Sequence, residues 1–147
     1  MPSDSAARVT LPTAIRGAAV GVVAYVVGYV FTYLTATDAV QRLARAYQPL
    51  AEAGGRFAPA WKVAGWTFYD AHFVGTHFGG QAVNTVSFAS VEYLYLVPPL
   101  LLLLAGAVVA FAVGSESAQA GLVAGATVTV GYLPLVALLA LWIQYAN

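Results

Sequence analysis

Residues 93–147 read YLYLVPPLLLLLAGAVVAFAVGSESAQAGLVAGATVTVGYLPLVALLALWIQYAN, fifty-five positions with one formally charged side chain, Glu116. A water-soluble domain of this size keeps most of its Lys, Arg, Asp and Glu on its surface and cannot present a surface without them. The solvent for this stretch is therefore lipid, and the chain reads as an all-α integral membrane protein. The two apolar runs are separated by Ser115, Glu116 and Ser117 alone, a link short enough to force an antiparallel helical hairpin.

The rest of the composition agrees. Hydrophobic residues make up 61% and charged residues 8%, against about 45–50% and about 25% in ordinary globular domains. At 147 residues the chain has room for one domain, a single membrane domain over 1–147. Six basic and six acidic groups balance, so no polyanionic partner is implied and nucleic acid is not expected. With no cysteine in the sequence, disulfides, thiolate nucleophiles and Cys-ligated metal sites are excluded.

Two more spans follow from length and charge. Residues 17–36, GAAVGVVAYVVGYVFTYLTA, carry no charge; at 1.5 Å per residue they cover about 30 Å, the thickness of a hydrocarbon core. Arg8 and Arg16 precede them as in a signal peptide, but signal-peptide apolar cores run only about 7–15 residues. The second span covers residues 94–113. Pro98 and Pro99 belong in its first helical turn, where the missing N–H has no partner to lose; a helix starting near Val97 leaves 92–96 as a lead-in at the headgroups. The third span, 118–143, exceeds a perpendicular crossing and calls for tilt, with Pro134 as its expected bend because it leaves the Val130 carbonyl without its usual donor.

Between the first and second spans the pattern changes. Thr37 to Arg56 is mixed and polar, with a Gly54-Gly55 loop signal and a short interfacial helix on which Arg42, Arg45 and Gln48 share a wet face. Residues 61–78, WKVAGWTFYDAHFVGTHF, are rich in aromatics, yet Lys62, Asp70, His72 and His77 scatter over about half a helical wheel, a poor amphipathic pattern. Three placements suit such an aromatic helix: along the interface, where Trp and Tyr are enriched; as a re-entrant element shielded by protein; or as a fourth crossing, at about 2.5–3.5 kcal/mol for Asp70. The first two are preferred. Residues 79–90 read as a small-residue polar loop. Between the first and second spans, Arg42, Arg45, Arg56 and Lys62 outnumber Arg8 and Arg16 of the N-terminal tail, which places this whole connection in the cytoplasm by the positive-inside rule.

Lipid does not drive apolar helices together, so close backbone approach must. Gly17, Gly21, Ala24 and Gly28 fall at i, i+4, i+7 and i+11 of the first span, and Gly121 and Gly125 repeat the device in the third. These are the candidate packing residues. Two such stripes exceed what one three-helix contact set needs, which points to a homo-oligomer or to other membrane subunits as partners. Tyr25, Tyr29 and Thr127 are candidates to line a polar path; their plainer role is bonding between helices.

Asp70, His72, His77 and Glu92 form the candidate functional polar cluster. Two histidines and a carboxylate are a known metal set, but His72 and His77 lie too far around a helix to share one ligand face, and no metal is expected. A carboxylate–histidine relay or ion gate is the sharper reading, since ionisable groups at membrane depth tend to be functional. The plainer one has Asp70 capping, bridging to Lys62 or facing water. No motif calls for a cofactor, and no phosphate loop or catalytic triad is visible, so no catalytic residue is assigned.

Three segments, GVVAYVVGYVFTYL at 21–34, VAGWTFYDAHFV at 63–74 and YLYLVPPLLLLLAG at 93–106, make the chain resemble uncharacterised small multi-pass membrane proteins of halophilic archaea that carry a generic transporter-like label. The resemblance implies a plasma-membrane setting and directs interest to 65–74; it assigns no residue roles. Wealth of packing features beside poverty of chemistry favours a non-enzymatic accessory or structural subunit of a membrane oligomer or complex. The alternative is a small channel or transporter subunit with a polar path near Asp70 and His72; an intramembrane enzyme comes third.

Overall fold

The computed structural model describes residues 9–46, 59–78 and 81–145. The first helix, α1 (Leu11–Ala46), is 36 residues long, about 54 Å at 1.5 Å per residue. Thr10 opens it, its hydroxyl accepting from Thr13 N–H at 3.4 Å, and Pro12 stands in the first turn, where it removes no helical bond. The expected boundary at Thr37 does not exist. TDAVQRLARA contains neither glycine nor proline and is built mainly of good helix formers, so the helix runs past the apolar zone. The hydroxyls of Thr32 and Thr35 turn back onto the carbonyls of Gly28 and Phe31 at 2.9 and 2.8 Å, and Thr37 does the same to Tyr33. Arg42 and Arg45 thus extend α1 instead of forming a separate interfacial helix; Gln48 lies outside the described residues.

After Pro59, held extended at φ −63° and ψ 151°, helix α2 covers Ala60–Asp70. It is shorter than the aromatic helix expected over 61–78. Phe73 N–H bonds to the Asp70 carbonyl at 2.9 Å and Val74 N–H to that of Tyr69 at 3.0 Å, a Schellman closure that leaves Phe73 left-handed at φ 61°. Thr76–Phe78 (β1) and Gln81–Val83 (β2) then pair antiparallel, Thr76 opposite Val83 and Phe78 opposite Gln81. The four-residue helix α3 (Thr85–Phe88) follows, capped by Asn84, whose side chain accepts from Ser87 N–H at 3.0 Å. The expected loop over 79–90 therefore contains a strand and a helical turn.

A 3-10 turn, Glu92–Leu96, leads into α4 (Val97–Ala112), with Pro98 and Pro99 in the first turn as the sequence requires. Gly114 at φ 64° closes α4, and Ser115 N–H reaches back to the Ala110 carbonyl at 3.1 Å. Ser117 then caps α5 (Ala118–Ala126) through its hydroxyl and Ala120 N–H, 3.2 Å apart. Helix α6 (Val128–Tyr145) completes the chain and runs through Pro134. The interruption of the third span falls at Thr127, where Val130 N–H bonds to the Thr127 carbonyl and Thr127 N–H to that of Ala124, both at 3.1 Å. One turn tightens there from i−4 to i−3 bonding.

Among the described residues the fold is all-α apart from the two short strands. Three helices among the described residues are long and apolar enough to cross a membrane: Leu11–Ala39, Glu92–Ala112 and Ala118–Trp142. Within their most apolar windows only 28%, 22% and 28% of residues are buried inside the chain. Side chains such as Leu103, Phe111 and Leu122 stand 70%, 87% and 75% exposed, which in water would be a large unpaired apolar surface.

The chain packs as two compact units, Met1–Val26 with Pro99–Leu139, and Val27–Pro98 with Ala140–Asn147. In the first, Ala24, Tyr25, Ala105, Val109, Ala124, Val128 and Tyr132 are buried. In the second, Ala36, Ala71, Val86, Val91 and Leu94 form the core, with Ala39, Val63, Ala89 and Tyr95 packed against it.

Candidate functional site

Asp70 is 1% exposed, and every bond it accepts ties the polypeptide after it into place. Its Oδ2 accepts from the backbone N–H and the hydroxyl of Thr85, both at 2.6 Å. Its Oδ1 accepts from Thr76 N–H at 3.1 Å. The Thr76 hydroxyl lies 3.0 Å from Oδ2 and 2.8 Å from the Val83 carbonyl, so its single proton serves one of the two at a time. Charge-assisted bonds of this kind are the strong ones. One buried carboxylate at the end of α2 thus holds the first residue of β1 and the first residue of α3.

The other members of the predicted cluster do not converge on it. His72 is half-buried; its Nδ1–H donates to the Phe68 carbonyl at 2.6 Å and its ring meets the Phe68 ring edge-on, centroids 4.5 Å apart. Burial lowers its pKa from the usual imidazole range, and the bond to Phe68 acts in the opposite direction. His77 is exposed on β1, and Glu92 is exposed at the start of the 3-10 turn. Among the described residues no group of three or more His, Cys, Asp or Glu is placed to hold a metal ion.

Residues proposed to line a path are engaged in helix contacts. Tyr25 packs edge-on against Tyr132, centroids 5.5 Å apart at 77°. Tyr29 donates its hydroxyl to the Trp61 carbonyl at 2.7 Å and meets Phe68 edge-on at 6.1 Å. Trp61 in turn stacks on Trp142 at 4.9 Å, and the Lys62 ammonium lies 5.9 Å from the Trp61 ring centroid, within reach of a cation–π contact. Thr127 is buried, its hydroxyl donating to the Ala124 carbonyl at 2.5 Å.

The small-residue stripes are taken up inside the chain. A Cβ on Gly17 would overlap the Thr127 side chain, one on Gly21 the Val128 carbonyl oxygen, and one on Gly131 the Ala18 carbonyl oxygen. A Cβ on Gly125 would stand 3.1 Å from the Gly106 oxygen, whereas one on Gly121 meets Ala110 at an ordinary 3.7 Å. Gly28 is also buried on α1. These intramolecular contacts account for both stripes, so the stripes by themselves give no argument for a second copy.

Thr76, Thr85, Phe73 and Gly106 carry roles that sequence reasoning missed. For Thr85 a signal existed, since Asn84 two residues before Val86 is a good N-cap. For Thr76 none did; its tie to Asp70 is a product of the fold.

The profile of a family of unknown function, DUF7978, matches residues 2–147, and the chain belongs to that family. Comparison with curated proteins finds no match, and comparison with solved structures finds none.

Proposed function

We propose that this member of the DUF7978 family is a non-enzymatic accessory or structural subunit of an oligomer or larger complex in the plasma membrane. The observation that carries the reading is the employment of Asp70: the one buried carboxylate among the described residues, 1% exposed, braces Thr76 and Thr85 instead of pairing with His72 or His77. A proton relay needs a titratable neighbour in line, and an enzyme needs a nucleophile or base open to substrate. In this protein the carboxylate's acceptor positions are filled by threonines of its own chain. The exposed apolar faces of α1, α4 and α6 leave ample area for lipid and for other subunits.

The test is a mass determination of the protein extracted from its native membrane in lipid nanodiscs, together with an ion-flux assay in proteoliposomes. The subunit reading expects a particle holding more than one 15.3 kDa chain and no flux. A lone chain that conducts would overturn it.

One observation favours the channel or transporter alternative. The third span is interrupted at Thr127, within two turns of Pro134, and broken helices are where transporters place their ion sites. On that reading Asp70→Asn abolishes a measurable flux; on the leading one it loosens the fold and there is no flux to lose.

A further inference from the structure

Phe73 occupies a position where a large side chain is costly. It closes α2 in the left-handed conformation at φ 61°, a place most often given to glycine, and its ring is 80% exposed. Backbone of this kind persists when the surrounding structure holds it, and it clusters at sites of function. Here the support is visible. The Phe73 ring lies parallel to Tyr95, 12° between planes and 5.2 Å between centroids. Tyr95 is itself fixed: its hydroxyl accepts from the Asn84 amide at 2.7 Å and lies 3.4 Å from the Ser87 hydroxyl.

Tyr95 sets the depth. It belongs to the candidate span Glu92–Ala112, whose 21 residues come to about 31 Å, so that its first turn stands at the edge of the hydrocarbon. Tyr93 and Leu96 in the same turn are 47% and 62% exposed, and Val74 beside Phe73 is 47% exposed. Helix α2, by contrast, buries Lys62, Ala64, Gly65, Thr67, Phe68, Tyr69 and Asp70 and has little apolar surface to offer.

We infer that the turn after α2 is a membrane-interface anchor: the Phe73 ring, held flat on Tyr95 at the mouth of the span, inserts among lipid headgroups, with Val74, Tyr93 and Leu96 around it. The occupant of this face is lipid because the patch is continuous with a helix that crosses it. Tyr is favoured at that level and Phe at the headgroup–acyl boundary just beneath it, and the anchor fixes the depth of the Asp70 brace three residues upstream of Phe73. This placement does not depend on the subunit reading, since a channel would need the same anchor.

The absence of cysteine from the sequence makes the test direct. F73C and, as an aqueous reference, E116C in the full-length protein are labelled with an environment-sensitive fluorophore and reconstituted in phosphatidylcholine vesicles. Quenching is measured with iodide loaded on both faces of the vesicles, because the span Glu92–Ala112 separates the two positions, and with lipids bearing a nitroxide either near the headgroup or near the chain end. The inference expects position 73 to be several-fold less accessible to iodide than position 116, and to be quenched more by the headgroup-proximal nitroxide than by the deep one. Equal iodide quenching at both positions overturns it. So does protection of position 73 from iodide and from both lipids, which would mean that protein covers the ring.

Discussion

The two compact units are held together by opposite means. In Met1–Val26 with Pro99–Leu139 the contacts depend on side chains that are missing: Gly17, Gly21 and Gly131 let backbone meet backbone or threonine, and Gly106 lies against Gly125. In Val27–Pro98 with Ala140–Asn147 they depend on side chains that are present: a carboxylate bonded to two threonines, a tyrosine bonded to a tryptophan carbonyl, and stacked rings. The difference follows from the solvent. Where regular helices lie in lipid, every backbone group is already satisfied and apolar burial gives no advantage, so only closeness of approach adds attraction. Where the chain turns, pairs a short hairpin and turns again, free N–H groups need acceptors, and Asp70 supplies them.

That contrast fails most visibly if the glycines can be filled. Gly21→Leu and Gly131→Leu would drive a side chain into a carbonyl oxygen, so the loss of stability should exceed the ~1–3 kcal/mol of ordinary overpacking. In detergent the variants should unfold at much lower denaturant than the parent. Gly125→Leu, whose Cβ would stand in a tight 3.1 Å contact with the Gly106 oxygen without overlapping it, should cost less, and Gly121→Leu least of the four. Should Gly21→Leu unfold with the parent, the close approach of α1 to α6 is wrong.

Asp70→Asn comes second. The amide offers one acceptor where the carboxylate offers two, and its NH2 faces a donor whichever way it is set. Bonds to a charged group contribute about 1.5–3 kcal/mol each, so a loss of about that size is expected, with α3 and the hairpin opening before α1. Hydrogen exchange at Thr76 and Thr85 would report it: protection should drop there and stay unchanged at Val109. Uniform exchange across both units would remove the distinction between them.

The same contrast explains what the sequence disclosed. The second and third spans were legible almost to the residue, and the first by its apolar middle though not by its ends, because a charge-free run long enough to cross a bilayer is a statement about solvent, independent of neighbours. The Pro98-Pro99 start was legible because the first turn is where proline's missing donor removes no helical bond. The break at Thr127 was not, because Pro134 carried the obvious signal, while Thr127 has no stop signal of its own; its tightened turn sits against the close approach of Gly17. Across the end of 61–78 the aromatic density concealed the strand pair Thr76–Phe78 and Gln81–Val83, which the sequence THF-GG-QAV announces as two short runs separated by a glycine pair. The polar cluster misled for a different reason. Composition places Asp70 near two histidines, but its acceptors are filled from 6 and 15 residues away, and a threonine hydroxyl leaves no trace of its partner in a sequence.

Caps give a smaller, matched comparison between the units. Ser117→Ala in the first and Asn84→Ala in the second each remove an N-cap bond, for which about 0.5–2 kcal/mol is usual. Asn84 also donates to Tyr95, so its loss should be the larger of the two and should loosen the Phe73 stack. If Ser117→Ala proves the costlier, the short α3 matters less to its unit than its bonding implies.

The smallest effect is a pH slope confined to the second unit. Burial lowers the pKa of His72 below its unfolded value of about 6.5. In the window below that value the unfolded chain binds the proton more readily than the folded one, so stability rises with pH. The full contribution is present above about 6.5 and is lost as pH falls towards the folded pKa. The neutral ring, donating from Nδ1 to the Phe68 carbonyl at 2.6 Å, is the form the fold accepts. Unfolding of the parent should therefore become easier on acidification through this window, and His72→Gln, which keeps a donor without a titrating group, should flatten the slope. His77→Gln is the internal reference, because that side chain is exposed on β1. A slope that survives His72→Gln but vanishes in His77→Gln would move the pH sensitivity from the core of the second unit to its surface hairpin.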